Sequence, residues 1–522
     1  MQIPHYIERS ARYFGDRPAV VFGDEVLSFR ALDRRSNRLA HALLGLGLAK
    51  GERVAIQGWN SPRVVEFECA LYKAGLVRVP INARQTATET LELLADSGAS
   101  ALLASGSHID ALADARVDLG HLPVRICLDG ARGGWLAYEP LLALASDAPV
   151  EAALADGDLA VLHYSSGSTG RMKAVMQTFG NRRAALRNVV MGDPIGVRPG
   201  DTVLMMGPLT HATGVLMQPM LSRGACLHVY PRFDLDRMFD DVAARRVSHV
   251  FMVPTMLNMM MAHPGVGRVD FSGLRQLSYG AAPTTPERIR EVWERVGPVL
   301  MQGYGSSEVG GGVAALSPQD HARAMASKPD LLASCGRALT EMEVAVLDAD
   351  GERCPPGTVG EIAIRGESVS RGYWNASPMA DAAFRPDGWY LTGDLAHSDD
   401  EGFLYIVGRA KDMIISGGFN VYTAEVEAAV QEHPAVHEVC VFGVPDATWG
   451  EAVHACVTLR PGHASAAAVP EALLAALAPK LSAFKRPKAV SVLPELPRNP
   501  NGKIDRKALR EPFWAGRGNR VI

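Results

Sequence analysis

Between Ser28 and Leu162 the chain alternates between two hydrophobic rhythms, and this alternation restricts the fold more than any other feature. From Ser28 to Leu48 apolar residues recur at helical spacing. Lys50-Gly51 then turns the chain into Arg53-Val54-Ala55-Ile56, which reads as a strand. A helix from about Ser61 to Lys73 and a strand near Leu76 to Ile81 follow, and further strands are expected at Leu102-Leu103, Val124–Cys127 and Ala160–Leu162. Alternating helix and strand argue for an α/β fold with largely parallel sheets. A length of 522 residues exceeds what one core supports, so at least two domains are expected. No internal repeat or low-complexity tract interrupts the pattern, and the alanine-rich stretch Ala464–Ala478 reads as a loop leading into a helix.

The apolar run Leu159–Leu162 leads into Tyr164-Ser165-Ser166-Gly167-Ser168-Thr169-Gly170-Arg171-Met172-Lys173. Glycines let backbone N–H groups approach an anion, hydroxyls donate further hydrogen bonds and Lys173 adds a point charge. The segment is not a Walker loop, because Gly170 is followed by Arg171 and Met172 before Lys173. Gly45-Leu46-Gly47 lacks the third glycine of a dinucleotide fingerprint. Read alone, a Ser/Thr/Gly loop before a lysine is more often an ordinary surface loop. Further blocks stand downstream in a fixed order: Gly207-Pro208-Leu209-Thr210-His211-Ala212-Thr213-Gly214, Gly280-Ala281-Ala282-Pro283, Gln302-Gly303-Tyr304-Gly305-Ser306-Ser307-Glu308, Gly388–Asp394, Gly402–Asp412, Ser416-Gly417-Gly418 and Pro497–Lys507.

With these blocks the chain resembles the adenylate-forming superfamily of acyl-CoA synthetases, peptide-synthetase adenylation domains and firefly-type luciferases, over most of its length from Tyr164 onward. Met172 stands where proline is usual and Ala174 where glycine is usual; neither change removes a side-chain donor. The resemblance implies an ATP-phosphate site at Ser165, Ser166, Gly167, Ser168, Thr169, Gly170 and Lys173. It places His211 where the substrate carboxylate meets the α-phosphate. Gly280, Ala281 and Ala282 would lie along one face of the adenine and Tyr304 on the other, a stacking role suited to an aromatic ring. Ser307 would touch phosphate, and Glu308 would hold Mg²⁺, a hard cation that takes carboxylate and phosphate oxygens. Asp394 would accept the ribose hydroxyls, with Arg409 as a nearby cation. Lys411 falls at the family's hinge, Gly417 and Gly418 on the pantetheine tunnel, and Lys503 where a lysine bridges substrate carboxylate and ATP.

The implied activity is an ATP-dependent acid–CoA ligase acting through an acyl-AMP intermediate, with ATP, Mg²⁺ and coenzyme A. The implied architecture is a large, multi-subdomain domain over residues 1–410 with mostly parallel sheets and a small mobile α+β domain over 411–522. Methionines from Met205 to Met261 and the run Gly310-Gly311-Gly312 would leave an apolar, roomy lining, expected for a fatty or aromatic acid. Transfer to a separate carrier protein is the alternative. A peptide-synthetase module would need an acid near His211, which Thr210–Thr213 does not offer. A net charge of −4 gives no electrostatic case for nucleic acid, and Arg182-Arg183 and Lys485-Arg486 read as solvated faces. Seven scattered cysteines without metal-ligand spacing suit reduced thiols. No run reaches the length of a membrane span and no leader pattern opens the chain, so a cytoplasmic protein is expected.

Overall fold

The computed structural model describes residues 2–166, 172–193, 196–375, 382–416, 419–446, 448–460, 469–500 and 502–515, with the side chains at 165 and 166 also outside the description; elements and counts below refer to these residues. Two large sheets form the N-terminal body. One has nine strands and runs parallel through Pro18–Phe22, Cys226–Val229, Thr202–Met205, His249–Met252, Gln276–Gly280 and Leu300–Ser306, with antiparallel strands at both edges. The other has seven strands, parallel except for the antiparallel pair Leu159–Ser166 and Met172–Thr178.

The expected helices and strands of the first 162 residues are present. Ser28 caps the helix Phe29–Gly45, its hydroxyl accepting from the Ala31 N–H at 3.1 Å, so the helix begins one residue later than its pattern. Helix Pro62–Ala74 is buried along its length except at Arg63, and its buried residues include the charges of Glu66, Glu68 and Lys73. Its apolar side chains join Val20 and Leu227 of one sheet and Val54 and Ile56 of the other in a single core, which fuses the two sheets. The buried charges are paired: Glu66 takes Arg35 at 2.7 Å and the Tyr138 hydroxyl at 2.6 Å, and Lys73 takes Asp33 at 2.7 Å.

Two further sheets follow. Glu343–Leu347, Gly360–Arg365, Tyr390–Ser398 and Leu404–Arg409 make a wholly antiparallel sheet, a departure from the expected alternation. Beyond Arg409, the strands Ile414–Ser416, Phe419–Val421, Val436–Asp446, Gly450–Leu459 and Ala489–Val492 form a separate mixed sheet with its own core of Ile414, Val441, Val453 and Leu473. The alanine-rich stretch ends in helix Val469–Leu477; its first part lies outside the described residues. All seven cysteines are unpaired, and only Cys354 is not buried. No helix is long and apolar enough to cross a membrane among the described residues.

Candidate active site

The motif blocks meet where parallel strands end. Leu159–Ser166, Thr202–Met205, Gln276–Gly280 and Leu300–Ser306 each deliver a block at the C-terminal end, the side on which open α/β sheets bind ligands. The phosphate-loop block is tighter than its sequence suggests. Tyr164, Ser165 and Ser166 finish one strand and pair with Ala174, Lys173 and Met172 of the next, making a hairpin rather than a long loop. Gly167, Ser168, Thr169 and Gly170 at its tip, and the side chains of Ser165 and Ser166, lie outside the described residues. Lys173 stands 5.2 Å above the Tyr373 ring. Tyr373 comes from a segment that lies along the hairpin, with Met176 N–H donating to Gly372 O at 2.9 Å and Trp374 N–H to Ala174 O at 2.8 Å.

The Tyr373 hydroxyl donates to Glu308 Oε1 at 3.0 Å, connecting Lys173 to Glu308 through one ring. Glu308 and Ser307 form a single helical turn, Ser307–Val309, which three side chains hold from behind. Gln177 Nε2 donates to Ser307 O at 2.6 Å, Arg182 Nη1 to Gly310 O at 3.2 Å and Asn188 Nδ2 to Gly312 O at 3.0 Å. Arg182 is therefore a buried strut and not the solvated face expected from its pairing with Arg183. Gly310 takes a left-handed φ of +69°, and Gly311 and Gly312 belong to the antiparallel strand Gly311–Leu316 instead of an open turn. That strand packs so closely that a Cβ on Gly305 would come 2.0 Å from Gly311 O.

On the adjacent strand, Gly280 pairs with Gly303, and a Cβ at Gly280 would sit 2.2 Å from Gly303 O. Ala281 follows with φ +68°, a conformation that costs a non-glycine residue free energy and persists where the surroundings fix it. Ala282 stays partly accessible beside it. The Tyr304 hydroxyl donates to Asp394 Oδ2 at 2.8 Å, and Arg409 Nε donates to Asp394 Oδ1 at 2.9 Å. Asp394 thus has each oxygen engaged by the protein, two partners the sequence did not indicate. Asp394 and Arg409 face each other as paired positions of the antiparallel sheet, which explains their contact across 15 residues.

His211 Nδ1 and the Thr210 hydroxyl are 3.0 Å apart, and the His163 ring meets the His211 ring edge-on at 5.3 Å. Burial, then the positive charges of Arg78 and Lys503, push the His211 imidazole down to about 4. Burial, with His211 and Arg78 behind it, also holds His163 well below its ordinary value, so both rings are neutral at neutral pH. Several of the methionines pack in the hydrophobic cores. Met205, Met217 and Met220 belong to the core between the two large sheets, and Met206, Met252 and Met260 to the second core. Val215 and Leu339 approach Gly311 and Gly312, 3.1 and 3.0 Å from where Cβ atoms would stand.

Two site residues come from beyond Arg409. Lys411 sits in the short turn Ala410–Asp412, and its ammonium is lowered by burial and then by Arg409. Lys503 stands on a small hairpin closed by the Arg498–Ile504 bridge, with Asn499 N–H donating to Lys503 O at 2.8 Å. Its side chain keeps solvent access along the cleft. Burial in the cleft and the charge of Arg409 lower its ammonium, while Asp394 and Glu308 oppose the shift. Its charge also lowers His211, so the lysine lies within electrostatic range of both carboxylates and the histidine. Gly417 and Gly418 lie outside the described residues. Sequence reasoning missed Tyr373, Gln177, His163 and Arg498; the one available signal was a polar side chain inside an apolar strand, at His163 and Gln177.

The AMP-binding enzyme family matches residues 7–374, and the AMP-binding enzyme C-terminal domain matches residues 425–503. An indoleacetate–CoA ligase of Aromatoleum aromaticum is 35% identical over 98% of this chain and 98% of its own length. A medium/long-chain-fatty-acid–CoA ligase of Mycobacterium tuberculosis is 32% identical over 99% of this chain and 91% of its own. Among solved structures, the amide bond synthetase McbA from Marinactinospora thermotolerans superposes with a TM-score of 0.87 at 31% identity, covering 98% of this chain and 100% of that one. With two family matches in the expected order and relatives aligned almost end to end, the chain belongs to the AMP-binding enzyme family of the adenylate-forming superfamily, as an acyl-CoA synthetase.

Proposed function

We propose that this chain joins a fatty or aromatic carboxylic acid to coenzyme A through an acyl-AMP intermediate. In the first step a carboxylate oxygen bonds to the α-phosphorus of ATP and pyrophosphate leaves. In the second the CoA thiol, losing its proton, attacks the acyl carbon and AMP leaves. The observation that carries the proposal is Lys503, brought by the C-terminal hairpin among Glu308, Asp394, Arg409 and His211. The carboxylate and the phosphates are both anionic, so the first step needs cations between them. Lys503 supplies one from the small domain and Lys173 another from the phosphate hairpin. His211, held neutral, offers a ring nitrogen to orient the carboxylate without competing for its charge.

ATP would lie with its base between Gly280–Ala282 and Tyr304, its ribose at Asp394 and Arg409, and its phosphates at Ser307, Lys173 and residues 165–170, including Thr169. No group of three or more acidic, histidine or cysteine side chains able to hold an ion occurs among the described residues. Glu308 alone, with one oxygen held by Tyr373, fits Mg²⁺, which accepts one or two carboxylates and completes its octahedron with phosphate and water. When bound, the ion would neutralise phosphate charge. We assign residues 1–410 to the nucleotide-binding domain and 411–522 to a domain that turns about Lys411, bringing Gly417 and Gly418 to the pantetheine path for the second step. Gly311 and Gly312, approached by Val215 and Leu339, would give the acyl path an apolar wall at this point.

Pyrophosphate release with ATP and Mg²⁺, across acetate, medium- and long-chain fatty acids, benzoates, cinnamates and indole acids, tests the proposal with and without CoA. A selective response that CoA accelerates supports it and names the acid. Release independent of CoA, with the acyl group captured by a carrier protein, would replace it.

A further inference from the structure

The hairpin that bears Lys503 is fixed at its base by one guanidinium with three different partners. Arg498 Nη1 donates to Gly502 O at 3.0 Å within the hairpin. Arg498 Nη2 donates to Glu438 Oε1 at 2.6 Å on the small domain's own sheet. The third partner belongs to the large domain: Nη1 also donates to Thr255 Oγ1 at 3.0 Å. Thr255 opens the methionine helix Pro254–Ala262, which follows the strand His249–Met252 neighbouring the Gly280 strand. Its partner is 243 residues away in sequence, so nothing local produces the contact. Arg84 Nη1 also reaches Pro500 O of the hairpin at a longer 3.5 Å.

We infer that Arg498 is a positioning residue for adenylate formation, holding the hairpin at the depth where Lys503 reaches the site; this rests on the function proposed above. Planar and always charged, a guanidinium can serve a carbonyl, a carboxylate and a hydroxyl at once, which an ammonium does with less fixed geometry. Two of its bonds stay within the small domain and travel with it. The bond to Thr255 exists only in this orientation and must break before the domain turns. It therefore favours the orientation that carries Lys503 into the site, to the extent that this one hydrogen bond differs between the two states.

Thr255→Val removes the hydroxyl from the large domain, keeps the side-chain volume, and leaves Arg498 its bonds to Glu438 and Gly502. Acid-dependent ATP–pyrophosphate exchange should fall about 3–10-fold, the net range of one ordinary, solvent-exposed hydrogen bond. Consumption of preformed acyl-adenylate by CoA should stay unchanged or rise. Arg498→Lys should lower exchange by less than Arg498→Ala. Labels at the exposed positions Glu287→Cys and Glu471→Cys, in a Cys354→Ser background that removes the accessible native thiol, read by pulsed electron resonance, should show the short-distance population shrinking in Thr255→Val. Equal changes in both half-reactions, or unchanged exchange with an unchanged distance distribution, would overturn the assignment. Absence of exchange in the unaltered protein with every acid would instead overturn the ligase proposal, leaving the distance measurement to decide whether Thr255 sets the domain orientation.

Discussion

Gly280 and Ala281 are neighbours under opposite constraints. A methyl at Gly280 would collide with Gly303 O inside a sheet, where backbone cannot retreat. Gly280→Ala is expected to destabilise by about 3 kcal/mol or more and lower the melting temperature by several degrees. Ala281→Gly relieves a left-handed alanine while loosening the unfolded chain, so its melting temperature should stay within a degree or two. Beneath this turn, fully buried His321 has its tautomer fixed: Nδ1–H donates to Ser317 O at 2.8 Å and Nε2 accepts from the Tyr279 hydroxyl at 2.8 Å. Burial pushes it down to about 4. An unfolded imidazole protonates near 6.5, so as pH falls the unfolded chain takes up this proton first. Stability from His321 is complete above about pH 6.5 and drains away toward pH 4, on the order of 3 kcal/mol in all. Melting curves from pH 7.5 to 5 should slope less in His321→Gln than in the unaltered chain; equal slopes would remove His321 from the account. His211, Glu308, Asp394 and Lys503 could be picked out from the chain because each sits inside a recognisable block. Tyr373 and Arg498 could not, because their partners are 65 and 243 residues away.

Among the elements, the parallel sheets were readable because a buried strand and its covering helix each announce themselves within about a dozen residues. The antiparallel sheet from Glu343 to Arg409 was not, since register shifts between Glu361 and Ala363 and between Leu395 and Ala396 break the strict alternation by which a half-buried strand is read. The helical turn bearing Ser307 and Glu308 shows what contacts distant in sequence do for the site. It has no stable element of its own and is held by Gln177, Arg182 and Asn188. Gln177→Ala should let it shift, and displacements near 1 Å at a reacting centre cost up to about a hundredfold in rate. We expect pyrophosphate release to fall about 10–100-fold with nucleotide affinity changed much less, as measured by initial rates and by calorimetric titration of ATP.

Over the whole molecule, the proposed function divides the reaction between two bodies joined at Lys411. Lys503→Ala should abolish adenylate formation, about 10²–10³-fold or more, yet allow preformed acyl-adenylate to react with CoA. Lys411→Pro should spare the first half-reaction and block mainly the second. Rapid-quench measurement of each half-reaction separates the two, and an equal loss of both in both variants would contradict the division. A separate core beyond Arg409 fits the second domain expected from length; the contact of Arg498 with Thr255 was not legible, because it has no local signature.

The unpaired cysteines acquire significance in this setting. An acyl-adenylate reacts with any thiolate within reach, and a CoA ligase works in the presence of both that electrophile and CoA disulfides. Burial pushes Cys69, Cys226, Cys335 and Cys440 up to about 12 and Cys456 to about 11, so all five remain protonated at neutral pH. These five thiols offer no nucleophile. Iodoacetamide should accordingly modify the native chain at Cys354 alone, the one cysteine that is not buried. The acyl group then meets a single competent sulfur, the one that CoA brings.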